Sequence, residues 1–272
     1  MFSFSKMKTL LPERPKTDNT ILSGGRHLRH ELKYIIDEGT YRILLSRLRP
    51  IMFADRNGAN GEYRVTSLYF DDIYGSGYND KVSGMATRRK FRIRSYNLNP
   101  SRIMLEAKHK DDSYVSKLSA QLTDEQYHSL LSGDCSFMKG HDYEEDVFGE
   151  YYRSDLVSML KPKVIVDYVR QAFIYPYGNV RITFDKKLSA CYNTVDMFAN
   201  NALYSTIYDK EIILEIKYDN YIPASIQAVL QGIKSPMQSV SKYIICSDNL
   251  LQIKNRPYIL NNTQRRPTEV KI

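Results

Sequence analysis

Positively charged side chains repeat at every second position of one strand-like run, RRKFRIRSY. Side chains alternate across a β-strand, so Lys90, Arg92 and Arg94 share one face, opposite Phe91 and Ile93. Like charges side by side on a sheet repel each other and destabilise it. The run therefore predicts that something anionic lies along this face, while a solvated outer face is the alternative interpretation.

The next strand-like run, IMLEAKHK, continues the charged face and adds a carboxylate. In it Glu106, Lys108 and Lys110 alternate with apolar residues. The turn-rich segment Asn97–Ser101 joins the two runs, which predicts a β-hairpin. The hairpin sets the two charged faces side by side, so several cations and an acid share one surface.

Basic side chains recur on predicted strands that are far apart in the sequence. They are Arg29, Lys33, Lys117, Arg170, Arg181 and Lys217. If these faces turn inward in a closed sheet, they line a hydrated basic tunnel, because a charged lumen has to hold solvent, an ion or a ligand. Judged alone, Lys242 on the last predicted helix is a lysine whose stem lies on apolar surface and whose head reaches water.

Three glutamates each precede a lysine by two positions on these faces: Glu31, Glu106 and Glu215. Two roles are open to them, cross-strand salt bridges or binding of a hard divalent metal through oxygen. A triphosphate with its metal needs both kinds of group, since arginine and lysine bind phosphate oxygens and carboxylates bind the metal. The sequence has no phosphate-binding glycine-rich loop and no histidine pair at metal-ligand spacing, so side chains would have to hold the phosphate.

The elements that must position these residues form an α+β pattern of about eight mainly antiparallel strands with a few flanking helices, a number that suits a closed barrel. Besides the hairpin, strands are predicted at 29–37, 62–72, 113–122, 163–175, 180–190 and 212–218. Helices are predicted at 38–49, 123–133, 142–160, 223–232 and 237–250, with a short one at 2–11, while 192–209 is interpreted as irregular. Tyr69, Phe70 and Phe91 are interpreted as core residues.

The composition limits the chemical class of the binding partner but does not identify one partner. The net charge of +8 and the isoelectric point of about 9.2 favour nucleic acid, an anionic membrane or phosphorylated small molecules. Three scattered cysteines are typical of reduced thiols in a cytoplasmic protein. No apolar run reaches the length of a membrane span, and no linker demands a second domain. We expect one domain over residues 28–252, an N-terminal tail over 1–27 and a basic tail over 253–272.

Several blocks occur in an order that resembles a known family: SLYFDD, YNDKVSGMATRRKFRIRSY, LEAKHK, VDYVRQAF, RITFD, ILEIKY and SKY. From about Arg29 to Leu250 the chain is similar to the polyphosphate polymerase (vacuolar transporter chaperone, VTC) domain of the triphosphate tunnel metalloenzyme, or CYTH-like, superfamily. The resemblance implies an antiparallel eight-stranded tunnel barrel. It also implies transfer of the γ-phosphate of ATP onto inorganic polyphosphate, with Mn²⁺ or Mg²⁺ bound inside.

The resemblance also implies roles for individual residues. The metal would be held by Glu215, with Glu31 and Glu106 as further candidates by strand parity. The catalytic groups would be Lys108, Arg92, Arg94 and Lys242. The substrate-binding residues would be Arg92, Arg94, Lys108, Lys117, Arg170, Arg181 and Lys242, with Lys33 as a less specific match and Lys90 and Lys217 as further candidates by strand parity.

Two alternatives to polyphosphate synthesis stay open: an inorganic triphosphatase, in which water replaces the chain as nucleophile, and a non-catalytic module that binds polyphosphate or another polyanion. A nucleic-acid module is disfavoured, because Phe91 and Ile93 lie on the face opposite the bases and acids share the basic face. The expected partners are ATP and inorganic polyphosphate, without nucleic acid and without a transmembrane segment.

Overall fold

The computed structural model describes residues 22–23, 26–55, 58 and 61–255. The strands are β1 (Leu22–Ser23), β2 (Arg26–His27), β3 (Arg29–Ile36), β4 (Phe53–Ala54), β5 (Glu62–Asp71), β6 (Thr87–Tyr96), β7 (Ile103–Asp111), β8 (Tyr114–Leu122), β9 (Lys161–Tyr175), β10 (Val180–Cys191), β11 (Tyr204–Tyr208) and β12 (Ile212–Tyr218). The α-helices are α1 (Glu38–Leu48), α2 (Ser76–Val82), α3 (Asp124–Ser132), α4 (Val147–Ser158), α5 (Ala224–Leu230) and α6 (Lys242–Lys254), with 3₁₀ turns at Ser136–Met138 and Tyr177–Asn179.

Eight of these strands close into an antiparallel ring. Hydrogen bonding runs in the order β10-β12-β3-β8-β7-β6-β5-β9, and β9 pairs with β10 to complete the circuit. In addition, β11 pairs with β10, and β4 pairs with β9. The junction of β3 with β8 is short, with Arg29 opposite Val115 and His30 opposite Tyr114. The predicted α+β fold, an eight-stranded antiparallel ring with flanking helices, is confirmed.

The outer faces of the strands carry most of the apolar core. Helices α3 and α4 cover the outward residues of β5, β6 and β7, among them Phe91 and Ile93, which are 3% and 0% exposed. Helix α1 covers β3, β10 and β12 on another side. It begins where Asp37 accepts a hydrogen bond from the Thr40 backbone N–H at 2.6 Å. The apolar side chains of these strands are buried between the outer face of the ring and the helices. Because side chains alternate along a strand, the polar residues between them must point into the ring.

Helix α6 packs against the inner face of the ring on one side. Its residues Tyr243 and Cys246 lie against inward-facing Val166, Leu188 and Ile213. This apolar contact fills part of the interior and leaves the polar part beside the first turn of α6. The helix therefore limits how far the polar cavity extends inside the ring.

Three predicted elements differ in their limits. The last helix begins at Lys242 and not at residue 237, because Gln238 donates its backbone N–H to the Lys33 carbonyl at 2.9 Å and is held outside the helix. Part of the segment 192–209 is strand β11, which pairs with β10. Helix α4 begins at Val147, where Asp146 accepts from the Phe148 N–H at 2.9 Å.

The tails are described only in part. The predicted helix at 2–11 and residues 256–272 lie outside the described residues, and α6 continues to Lys254 within the predicted C-terminal tail. The three cysteines are buried free thiols, as expected. Within the described ranges, every helix is too short or too polar to traverse a lipid bilayer.

Candidate functional site

A polar cavity of about 90 Å³ lies inside the ring, beside the first turn of α6. Strands β3, β5, β6, β7, β9 and β12 each contribute at least one charged or tyrosine side chain to it. Its lining comprises Glu31, Lys33, Tyr69, Lys90, Arg92, Arg94, Lys108, Tyr168, Arg170, Glu215, Lys217, Ser241, Lys242 and Tyr243. The structure thus brings together the predicted substrate-binding residues other than Lys117 and Arg181.

Glu31 is the centre of the first group of charges. It lies 2.8 Å from the Lys108 Nζ, 3.1 Å from the Lys217 Nζ and 3.5 Å from the Lys33 Nζ. Burial by itself would raise the pKa of Glu31, but these lysines together hold its pKa well below the usual range. Glu31 is therefore a carboxylate that neutralises part of a surplus of cations.

Glu215 and Asp185 form the second group, at the first turn of α6. The Lys242 Nζ lies 2.5 Å from Asp185 and 2.6 Å from Glu215. Arg170 donates two hydrogen bonds to Asp185, at 2.6 and 2.7 Å, and lies 3.4 Å from Glu215. Burial opposes ionisation of Glu215, yet Lys242 and its neighbours keep the pKa of Glu215 well below normal. Lys242 is thus a buried, paired lysine inside the ring, and its interpretation as a lysine with a solvated head is wrong.

Glu106 is held apart from the other two glutamates. It accepts hydrogen bonds from Arg92 and Lys117, each at 2.7 Å, and its carboxylate lies 3.6 Å from Arg94. It does not line the cavity, and Lys117 is 47% exposed on its far side. Glu106 therefore lies apart from Glu31 and Glu215, outside the cavity lining, with Arg92 and Lys117 as its hydrogen-bond donors.

Arg181 faces inward, opposite the cavity residue Lys217 in strand register, but does not itself line the cavity. It donates to Asp55 at 2.6 Å and to the Tyr63 hydroxyl at 2.7 Å. Arg29, a further inward base, lies 3.2 Å from Asp219. The predicted face of both residues is correct, and neither contacts the cavity.

Lys90 differs from the other cavity lysines in its neighbours. Its Nζ lies 4.6 Å from the centre of the Tyr243 ring and 3.3 Å from the Ser241 Oγ, and no carboxylate of the described residues is within ion-pair distance. Burial, with Lys33 and Arg88 nearby, lowers the pKa of Lys90 to about 7. Among the described residues, Lys90 therefore has no carboxylate partner, and its amine gains or loses its proton near neutral pH.

Tyr69 is a buried core residue, as predicted, and it also lines the cavity. Its hydroxyl accepts a hydrogen bond from Arg92 at 3.0 Å, and its ring stacks on Tyr243 at 5.3 Å. Burial acts to raise the pKa of Tyr69, but Arg92 and Arg94 lower it overall. Tyr69 thus helps to fix the guanidinium of Arg92.

Helix α6 is fastened to α2 and β5 by two hydrogen bonds that sequence reasoning missed. The Tyr243 hydroxyl donates to Asp71 at 2.6 Å, and the Tyr78 hydroxyl donates to Asp248 at 2.5 Å. Asp71 also accepts the backbone N–H of Gly77 at 2.8 Å, at the start of α2. The paired aspartates of the YFDD block were the signal for this connection, which holds Lys242 at its place in the ring.

The donor set of the cavity fits a divalent cation that binds together with phosphate. Among the described residues, no group of three or more histidines, cysteines, aspartates and glutamates could hold a metal alone. Glu31 and Glu215 do share a cation, since the Lys33 Nζ lies 3.5 Å from one and 3.6 Å from the other. Mg²⁺ is usually held by one or two carboxylates plus phosphate oxygens and water, and these two glutamates meet that requirement.

The affinity for inorganic tripolyphosphate is expected to fall as the pH rises from about 7 to 9. Burial lowers the pKa of both Lys90 and Lys108 to about 7. Each lysine is charged below that pH and neutral above it, and only the charged form attracts phosphate, so each costs up to about tenfold in affinity per pH unit. Calorimetric titration of the wild type against Lys90→Met measures the slope, which the substitution should reduce, whereas Lys163→Met on the exposed surface should not. An affinity that is flat over this range would contradict the expectation.

Comparison with known proteins gave one family match and several similar structures. The family model described as the VTC domain matches residues 28–251. No curated protein matched the chain. A protein from Hippeastrum, assigned as an adenylyl cyclase and described as having a dominant triphosphatase activity, is 12% identical, with 82% of this chain and 95% of that chain covered and a TM-score of 0.49. A protein from Bacillus halodurans assigned as an adenylate cyclase is 13% identical. The match covers 91% of this chain and 97% of that chain, with a TM-score of 0.45. A Pyrococcus horikoshii protein is 13% identical. The match covers 84% of this chain and 99% of that chain, with a TM-score of 0.39.

Proposed function

The chain belongs to the VTC domain family, and from this premise we propose that it is a metal-dependent polyphosphate polymerase, an ATP-polyphosphate phosphotransferase. The observation that carries the proposal is the convergence of basic side chains from distant strands on one enclosed cavity. Arg92, Arg94 and Arg170 supply planar forks that match phosphate oxygens, and the lysines supply point charges. A triphosphate is the ligand whose charge density fits such a lining.

The proposed reaction is an in-line displacement at the γ-phosphorus of ATP. A terminal oxygen of the polyphosphate chain forms the new P–O bond, the bond to the β–γ bridging oxygen breaks, and ADP leaves with that electron pair. No covalent nucleophile of the protein is needed. Arg92, Arg94, Lys108 and Lys242 would act by orienting the two phosphate groups and by neutralising charge in the transition state.

When bound, Mn²⁺ or Mg²⁺ would supply positive charge that offsets the negative charge of the transferred phosphate. Glu215 and Glu31 are the residues that would hold it. Asp185 keeps Lys242 and Arg170 in place through its contacts at 2.5 and 2.6 Å. The carboxylates thus have two proposed roles, holding the cation and orienting the bases.

One observation favours a second candidate, a module that binds polyphosphate without turnover. Glu31, Glu215 and Asp185 are all ion-paired with lysine or arginine. If these pairs persist with ligand bound, no carboxylate is left for a metal. The basic cavity would then bind a polyanion without catalysing transfer.

Incubation of the purified protein with ATP and Mn²⁺, followed by phosphorus NMR, tests the proposal. We expect the resonance of internal polyphosphate groups to grow together with that of ADP, and chelation of the metal to stop both. Release of inorganic phosphate without polymer would identify a triphosphatase, since water would then be the nucleophile. Tight, salt-sensitive polyphosphate binding with no product would identify the binding module.

A further inference from the structure

A second cavity of about 390 Å³ opens from the tunnel cavity towards the surface. The two share Glu31, Lys33, Lys90, Lys108 and Ser241, so they are continuous. The outer one adds Lys81 of α2, Arg88 of β6 and Lys110 of β7 and is bounded by the segment 237–241. We call this outer cavity the vestibule.

Among the described residues, four of the six vestibule cations lack a carboxylate partner, whereas Lys33 and Lys108 pair with Glu31 where the vestibule meets the tunnel cavity. Within the portion of the chain that the structure describes, no carboxylate oxygen lies within 4.0 Å of Lys81, Arg88, Lys90 or Lys110. Arg88 donates to the Met85 carbonyl at 2.6 Å, and Lys81 donates to a serine hydroxyl. These neutral partners orient the cations but leave their charge unbalanced.

The vestibule cations are gathered in a half-buried cleft, where their mutual repulsion is weakly screened. Burial and the nearby Arg88 and Lys110 lower the pKa of Lys81 to about 8. The pKa of Lys110 is also lowered, by burial and Arg88, although Glu31 and Asp112 oppose the effect. Clustering of this kind costs free energy in the absence of a ligand, and an anion bound among the cations would recover it.

The position of the vestibule indicates which anion it takes. A phosphate chain lying in the tunnel cavity would pass Lys90 and Lys108 and continue between Lys81, Arg88 and Lys110. A triphosphate, confined to the inner cavity of about 90 Å³, would not need these three residues. A polymer carries a negative charge at every repeat and therefore supplies one for each cation on the path.

We propose that the vestibule binds the part of a polyphosphate chain that extends beyond the tunnel cavity, so that the protein prefers long chains to tripolyphosphate. The inference rests on the proposed function, because it takes the tunnel cavity to hold phosphate. It adds a residue set that determines chain-length preference: Lys81, Arg88 and Lys110.

The test is the triple variant Lys81→Gln, Arg88→Gln and Lys110→Gln, titrated calorimetrically with tripolyphosphate and with a long polyphosphate at equal salt. We expect the affinity for the long chain to fall by about tenfold or more and the affinity for tripolyphosphate to change by less than about twofold. The matched control is Arg49→Gln, Lys139→Gln and Lys163→Gln, which removes the same charge from exposed positions elsewhere and should leave both affinities unchanged. Equal unfolding temperatures of the two triple variants show that both are folded.

Three outcomes would overturn the inference: an unchanged affinity for the long chain, equal losses for the two ligands, or the same loss in the control variant. The wild-type titration separates this failure from failure of the proposed function. If wild type binds tripolyphosphate and Arg92→Gln weakens that binding, the tunnel cavity holds phosphate and the vestibule alone is refuted. If wild type binds neither ligand, the proposed function fails as well.

Discussion

Glu215→Gln is expected to lower metal-dependent polymer synthesis by about 100- to 1,000-fold, the usual effect of removing one electrostatic group from a transition state. Glutamine keeps the size of the side chain but cannot supply the negative charge that would hold the metal. Lys242 keeps its contact with Asp185 at 2.5 Å, and Arg170 keeps its two bonds to the same residue, so α6 should stay in place. The kcat for ADP release measures the loss.

Binding separates a metal role of Glu215 from a general role in folding. Without metal, the variant should bind tripolyphosphate at least as tightly as wild type, because one negative charge has left the cavity. Breaking a buried pair costs about 3–5 kcal/mol, so unfolding should be followed with phosphate present, which stabilises the folded state. The control is Glu62→Gln, which removes an ion pair with Lys186 outside the cavity and should retain activity. Unchanged turnover in Glu215→Gln, or a loss of chain binding as large as the loss of turnover, would contradict the assignment.

Arg92→Gln is expected to weaken tripolyphosphate binding by about 10- to 100-fold, since a hydrogen bond to a charged group contributes about 1.5–3 kcal/mol. The guanidinium is fixed by Glu106 at 2.7 Å and by Tyr69 at 3.0 Å, so it is positioned before ligand arrives. Its removal also leaves the charge of Glu106 less compensated beside the cavity. Both effects oppose an incoming phosphate.

Calorimetric titration measures the change, with Arg64→Gln as the matched control. Arg64 forms an ion pair with Asp167 at 2.8 Å on the outer face of β5, and its loss should leave phosphate affinity unaltered. An affinity in Arg92→Gln that equals that of wild type would show that phosphate does not contact this part of the ring. A loss of similar size in Arg64→Gln would show that net charge, and not position, governs binding.

The inward face of the charged hairpin was predictable from sequence because alternation is a local property. Phe91 and Ile93 pack outward under α4, which forces Lys90, Arg92 and Arg94 inward. The helix predicted at 123–133 is likewise a local feature, since α3 begins at a capping box formed by Thr123 and Gln126.

The position of a residue along the axis of the ring was not predictable, because strand parity tells which face a side chain is on but not where along the axis it lies. Arg181 and Lys117 have the predicted face, yet Arg181, opposite Lys217 in strand register, does not line the cavity, and Lys117 is half-exposed. Asp185 escaped prediction for the same reason. Its pairing with Arg170 depends on the β9–β10 register, which a single strand does not reveal.

The start of α6 required tertiary contacts that no local pattern contains. Residues 237–241 have helix-compatible spacing, but the backbone bond of Gln238 to Lys33 on β3 holds them as a separate segment. That segment forms the wall of the vestibule, and the shift places Lys242 in the first turn of the helix. The same long-range contact therefore explains both the error in the helix limit and the opening of the cavity.

A crystal structure of the protein with tripolyphosphate and Mn²⁺ tests most directly whether the enclosed bases form a phosphate site. The predicted result is phosphate oxygens inside the ring, about 2.7–2.9 Å from the guanidinium groups of Arg92, Arg94 and Arg170 and from the Lys242 Nζ, with the metal on Glu215. Phosphate found only on the outer surface, with the ion pairs of Glu215 and Glu31 intact and the interior without ligand, would contradict it.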